Sequence, residues 1–221
     1  MENLTRRLTA EFAGTCLLVA AVVGSGIMAD NLTNDAALAL LCNTIATAAA
    51  LVVLISVFGP VSGAHFNPAV STVMLLLKEM PAAVFAFYCA AQIAGAIAGT
   101  LLAHGMFELP PLQFSAHVRT GTGQWIAEAV AAFGLLLTIL TVRKSKPDNI
   151  PMLVGLYIAA AYWFTASTSF ANPAVTIART LTDTFAGIRP VDAPGFMLVQ
   201  IAGALLALGF SKFLSRSGAP R

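Results

Sequence analysis

Charge is what this 221-residue chain has least of: charged residues make up 10% of it, 12 Lys and Arg against 10 Asp and Glu, with three His besides. An ordinary soluble domain carries about 25% charged residues, so this composition excludes a water-soluble globular protein. The net charge of +2 says nothing about nucleic acid, and no such partner is expected. Cysteine is scarce too. Cys16, Cys42 and Cys89 fall inside apolar stretches without a Cys-x-x-Cys pair, which excludes a disulfide framework or a thiolate metal site and predicts buried, reduced, inert thiols. His65 has no second His, Cys or carboxylate at ligand spacing, so neither a metal nor a cofactor is expected. The isolated carboxylates and histidines form no acid–base pair, activated nucleophile or phosphate-cradling loop, and no enzyme chemistry is implied.

What the chain has in abundance is apolar length. It is 58% hydrophobic, with a mean hydropathy of +0.83. A helix needs about 20 residues to cross ~30 Å of hydrocarbon, and six such spans are predicted at 9–29, 36–58, 82–103, 124–142, 150–169 and 194–214. Arg6, Arg7, Lys78, Arg143, Lys144, Lys146, Lys212, Arg216 and Arg221 then share one face, against Arg119, Arg179 and Arg189 on the other. By the excess of positive residues on the cytoplasmic side, both termini are cytoplasmic, in what is expected to be a bacterial inner membrane. A cleaved signal peptide fits poorly, because Glu11 interrupts the first run and its removal would leave five spans.

Two copies of one tripeptide, Asn67-Pro68-Ala69 and Asn172-Pro173-Ala174, end small-residue loops inside charge-free stretches. Asparagine is a preferred helix N-cap and proline is favoured at the first helical position, so each copy predicts the start of a short half-helix. If the two starts meet nose to nose, their free N–H groups and positive dipole ends face one point, which favours a neutral hydrogen-bonding solute and repels a cation.

The copies belong to a longer repeat. Ala10-Glu11-Phe12-Ala13-Gly14 opens the first span and Ala127-Glu128-Ala129-Val130-Ala131 the fourth, while Gln92-Ile93-Ala94-Gly95-Ala96 recurs as Gln200-Ile201-Ala202-Gly203-Ala204. Three spans per half invert the second half relative to the first. The fold class is therefore all-α membrane protein: six transmembrane helices and two re-entrant half-helices in an inverted 3+3 repeat, one channel domain over 1–221 with repeats at about 5–105 and 122–216. The Asn67 loop then enters from the cytoplasm and the Asn172 loop from outside. Small residues such as Gly95, Gly99, Gly14 and Gly24 are read as packing positions. Glu11 and Glu128, ionisable groups within spans, are expected to support the loops by accepting hydrogen bonds from exposed backbone N–H groups.

The run Ser62-Gly63-Ala64-His65-Phe66-Asn67-Pro68-Ala69-Val70, together with the second Asn-Pro-Ala and the inverted repeat, resembles the aquaporin, or major intrinsic protein, family over nearly the whole chain. The resemblance implies the aquaporin fold and a homotetramer with a pore in each subunit. It makes Asn67 and Asn172 central donors, with Pro68, Ala69, Pro173 and Ala174 locking the half-helices together. Gly63, Ala64, His65, Phe66, Phe170 and Ala171 become pore wall. Non-helical backbone is expected over Gly59 to Phe66 and Thr165 to Ala171, its carbonyls forming a ladder of acceptors along an otherwise apolar channel. Many family members carry histidine after the glycine where this chain has Gly59-Pro60, so a pH gate of that kind is not expected here.

The sharpest departure is in the selectivity filter. Most of the family place arginine directly after the second Asn-Pro-Ala, where this chain has Val175; counting along the family pattern puts the other filter positions at Thr47, Ala160 and Ser169. This set is small and uncharged, so the resemblance implies a wider mouth that passes solutes larger than water. Arg179, four residues beyond Val175, either reaches back to replace the charge or supports the loop, by hydrogen bonds or by pairing with Asp183. The run from Asn172 to Thr180, with Asp183-Thr184-Phe185-Ala186-Gly187 after it, resembles a bacterial branch associated with arsenic resistance. The expected function is a passive channel for small neutral solutes: water, glycerol-like polyols and metalloid hydroxides such as arsenous acid. A water-selective pore and a secondary transporter coupled through Glu11 and Glu128 are the alternatives.

Overall fold

A computed structural model describes residues 2–216; Arg221, assigned above to the cytoplasmic face, lies outside them. Eight α-helices follow in order: α1 (Glu2–Leu32), α2 (Ala36–Ser62), α3 (Pro68–Leu76), α4 (Ala82–Met106), α5 (Thr122–Ser145), α6 (Ile150–Phe164), α7 (Pro173–Arg179) and α8 (Ala193–Arg216). Two 3₁₀ turns, Pro147–Asn149 and Pro190–Asp192, precede α6 and α8, and there is no strand among the described residues. Helices dominate because backbone N–H and C=O groups in hydrocarbon must pair within their own segment.

Five helices, α1, α2, α4, α5 and the α8 segment, are long and apolar enough to span a membrane. The fifth span differs from its predicted 150–169. At 15 residues α6 ends at Phe164, where Thr165 Oγ1 turns back onto Ala161 O at 2.6 Å and the chain leaves the helix to form the second loop. The first loop differs in the opposite sense. Gly59 to Ser62, expected as open backbone, are the last turn of α2, with Pro60 inside the helix and Gly63 capping it at φ 88, its N–H on Gly59 O. A left-handed C-cap of this kind is glycine's usual place.

The halves pack alike. α1 lies against α4 and α2, α5 lies against α8 and α6, and α2 meets α6 across the seam. Each repeated Gln-Ile-Ala-Gly-Ala supplies the close approach: a Cβ on Gly95 would strike Phe12 O, and one on Gly203 would strike Ala129 O. The cysteines are less buried than predicted, Cys42 being exposed and Cys16 and Cys89 half-buried. An apolar residue of a membrane helix can face lipid as readily as core, so hydrophobic surroundings in sequence do not imply burial in protein.

Candidate functional site

The two half-helices start opposite each other, and each start is built twice over. Asn67 Oδ1 accepts from Ala69 N at 2.8 Å, and its Nδ2 donates to Ala171 O of the other loop at 2.8 Å. Asn172 Oδ1 accepts from Ala174 N at 3.0 Å and Val175 N at 3.4 Å, and its Nδ2 donates to Phe66 O at 2.8 Å. The expected division of labour, oxygen for the cap and amide for the solute, is refined. One N–H of each amide ties the loops together, and two carbonyls of the expected ladder are the acceptors. Each amide keeps a second N–H, and both asparagines line the cavity. Pro68, Ala69, Pro173 and Ala174 are buried where the half-helices meet.

The loops before these starts hold an uncomfortable backbone. Ala64 and Phe66 have φ 48 and 49, and their counterparts Ser169 and Ala171 have φ 51 and 48. Left-handed conformations of this sort cost about 1–2 kcal/mol each in a residue bearing a Cβ. Two fully buried carboxylates hold them. Glu11 accepts from Ser62 Oγ at 2.7 Å, His65 N at 3.0 Å, Phe66 N at 2.8 Å and Gln92 Nε2 at 2.8 Å. Glu128 accepts from Phe170 N at 2.8 Å, Ala171 N at 2.9 Å and Gln200 Nε2 at 2.6 Å. The glutamine of each repeat then reaches its own half-helix, Gln92 to Ser71 Oγ at 2.9 Å and Gln200 to Thr176 Oγ1 at 2.9 Å. Both glutamates, expected as loop support, thus accept from backbone N–H groups of the loop in their own half.

Between the loops lies a narrow cavity with ≈ 70 Å³ open to the centres of water-sized molecules. By that measure one water needs about 10–15 Å³, so the space suits a short file of small molecules. Ala64, His65, Phe66, Asn67, Phe170 and Asn172 line it, with apolar walls from Leu18, Val22, Leu51, Ile55, Val70, Leu135, Ile139, Val154 and Ile158. Gly63 and Ala171 do not line it. Gly63 is the cap of α2, and Ala171 gives its carbonyl to Asn67.

Of the four filter positions, Thr47, Ser169 and Val175 line the cavity and Ala160 does not. Ala160 is exposed, on the outward face of α6 with Leu156 and Trp163. Tyr162 lines the cavity instead, its hydroxyl donating to Thr47 Oγ1 at 3.3 Å. Two residues are about 200° of helix, so Ala160 and Tyr162 face opposite ways. Counting back from Asn172 crosses the irregular turn after Phe164, and the count loses the helix face there. Arg179 also lines the cavity. It does not pair with Asp183, whose Oδ1 accepts from Ala116 N at 2.9 Å; its Nε donates to Ala186 O instead, so of the two supporting roles anticipated only hydrogen bonding is present.

Sequence reasoning passed over a second set of supports. Arg7 Nε donates to Tyr88 Oη at 2.7 Å, and Tyr88 Oη donates to Ser62 O at 2.8 Å, bracing the first loop from the terminal face. At the opposite face, fully buried His104 bridges Pro111 O and Thr182 Oγ1 at 2.9 and 2.8 Å. Arg119 fastens the linker before α5 to Gly187 O at 2.8 Å. Contacts between residues this far apart in sequence leave no local pattern.

A profile of the major intrinsic protein family matches residues 1–171. The chain belongs to the major intrinsic protein family. Within it, the chain is 61% identical over 218 residues to aquaglyceroporin AqpS of Rhizobium meliloti (strain 1021), covering 99% of this chain and 94% of that protein. It is 29% identical to aquaporin NIP6-1 of Arabidopsis thaliana over 94% of this chain and 68% of that one. Among solved structures, the X-ray structure of the aquaglyceroporin from Plasmodium falciparum matches with a TM-score of 0.68 at 24% identity over 95% of both chains, a likeness of fold. This major intrinsic protein is thus an integral membrane channel of aquaporin fold, and no enzyme.

Proposed function

We propose that the protein is a passive channel for small uncharged solutes: water, glycerol-like polyols, and metalloid hydroxides such as arsenous acid. The observation that carries this reading is at the outer wall of the cavity. Val175 occupies the position next to the second Asn-Pro-Ala, and Ser169 Oγ beside it is buried without a hydrogen-bond partner. A buried hydroxyl left unpaired is costly. A passing solute that carries hydroxyls satisfies it, and the solute's oxygens accept from the spare N–H groups of Asn67 and Asn172. Arsenous acid is neutral at pH 7 and presents hydroxyls as a small polyol does. The name of the Rhizobium meliloti relative, an aquaglyceroporin, points the same way.

The terminal face is taken as cytoplasmic, on the balance of Lys and Arg, in the inner membrane of a bacterium, and the assembly as a homotetramer embedded in the lipid bilayer. A water-only pore has one observation in its favour, the bulk of Tyr162 on the cavity wall in place of Ala160. Stopped-flow light scattering on proteoliposomes separates the readings. Glycerol and arsenous acid should enter well above protein-free vesicles and without any ion gradient. Entry of water alone assigns Tyr162 the narrowing role, and uptake that requires a proton or sodium gradient makes the protein a transporter.

A further inference from the structure

Val175 leaves the outer constriction without a fixed charge at the position next to the second Asn-Pro-Ala, yet a guanidinium lies one turn away. Arg179 is 3% exposed and lines the cavity beside Val175. Its Cζ is 3.3 Å from the centroid of the Phe170 ring, a cation–π contact that holds the head group in place. Only Nε is engaged, on Ala186 O. Its two Nη groups donate to no acceptor among the described residues, where the ion pairs are Arg143 with Glu79 and Arg189 with Asp192.

Arg119 shows what a purely structural arginine looks like at the same mouth. Its Nε, Nη1 and Nη2 all reach backbone carbonyls, of Gly187 at 2.8 Å, Ser167 at 3.3 Å and Phe185 at 3.5 Å. Its Cζ nevertheless lies 5.2 Å from the same Phe170 ring, adding a second positive charge to the site. Arginine stays protonated across the physiological range, so both charges persist. Nη groups without a protein acceptor, on a side chain that lines the cavity, find their partners in the cavity.

We propose that Arg179 is the charge and hydrogen-bond donor of the outer constriction, filling from one turn along α7 the role that Val175 leaves open. Its Nη groups meet the oxygens of a passing solute, and its charge keeps protons, sodium and potassium out. The proposal rests on the channel reading above and deepens it.

The test uses the full-length protein in vesicles. Proton leak driven by a potassium diffusion potential is divided by the amount of protein recovered in the same vesicles, so each variant reports its own insertion. Arg179→Gln removes the charge and Arg179→Lys keeps it. Val175→Asp leaves Arg179 and its contacts in place but sets a carboxylate one turn before it, and Val175→Asn is the uncharged control. This leak-to-protein ratio should rise about tenfold or more in Arg179→Gln and Val175→Asp, and severalfold less in Arg179→Lys than in Arg179→Gln and in Val175→Asn than in Val175→Asp. If Arg179→Gln fails to insert, Val175→Asp decides. An unchanged ratio in Val175→Asp, or a rise in Arg179→Lys equal to that in Arg179→Gln, overturns the proposal. A wild-type protein that passes water but no glycerol overturns the wide-filter reading on which the proposal rests, a result distinct from either.

Discussion

The two halves of this protein solve one problem in the same way and then diverge at its edge. Each must hold a short stretch of left-handed backbone at bilayer depth. Each does so with a buried glutamate that collects two consecutive N–H groups, and with a glutamine that links the glutamate to the half-helix. Beyond that shared clamp the surroundings differ. The first loop is braced by Arg7 through Tyr88 and presents His65 to the cavity, whereas the second sits beside Phe170 with two guanidiniums on its ring. The symmetric part builds the structure. The asymmetric part, drawn from residues outside the shared clamp, is where solute choice can be set without disturbing the scaffold.

The clamp gives the largest expected effects. Glu11→Ala strips four donors of their acceptor and Glu128→Ala three. An unsatisfied buried donor costs about 1–3 kcal/mol, so each change should remove several kcal/mol or abolish the folded state, Glu11→Ala more severely. Thermal unfolding in detergent ranks the two, and a larger loss in Glu128→Ala would break the assumption that donor count governs the clamp. The helix crossings come next. Gly95→Val and Gly203→Val each push a side chain into a backbone carbonyl of the facing helix, and should destabilise by about 1–3 kcal/mol apiece. Equal drops in melting temperature support the symmetry; a drop in one alone denies it. The smallest effect belongs to the brace found in the first half alone. Tyr88→Phe deletes the hydroxyl between Arg7 and Ser62 O and should lower stability by about 1 kcal/mol. Native-state hydrogen exchange should show the loosening at residues 63–66 and leave 168–171 unchanged.

Much of the symmetric part was legible in the sequence, because it is carried by residues whose type announces the task. An asparagine before a proline caps a helix, a carboxylate within an apolar span needs donors, and a glycine repeated in register marks a crossing. The asymmetric part was harder to read. Ala160 was reached by counting residues across a turn of irregular backbone, and the structure gives its place on the cavity wall to Tyr162. Open backbone was expected from Gly59 onward, yet α2 continues past Pro60 to the cap at Gly63. Pairing with its i+4 carboxylate was one of the roles anticipated for Arg179, but Asp183 is engaged by Ala116 N, a backbone group 67 residues away in sequence. Local rules predict local partners, and here the linker before α5 competes with them.

The central claim is that Val175 leaves the outer wall wide enough for solutes larger than water. Val175→Arg puts a guanidinium into that gap, so the most direct measurement is the ratio of glycerol to water permeability in wild-type and Val175→Arg proteoliposomes. The account predicts that the ratio falls about tenfold or more, with glycerol blocked and water largely retained. A ratio that stays constant, whether both fluxes fall together or neither changes, would contradict it.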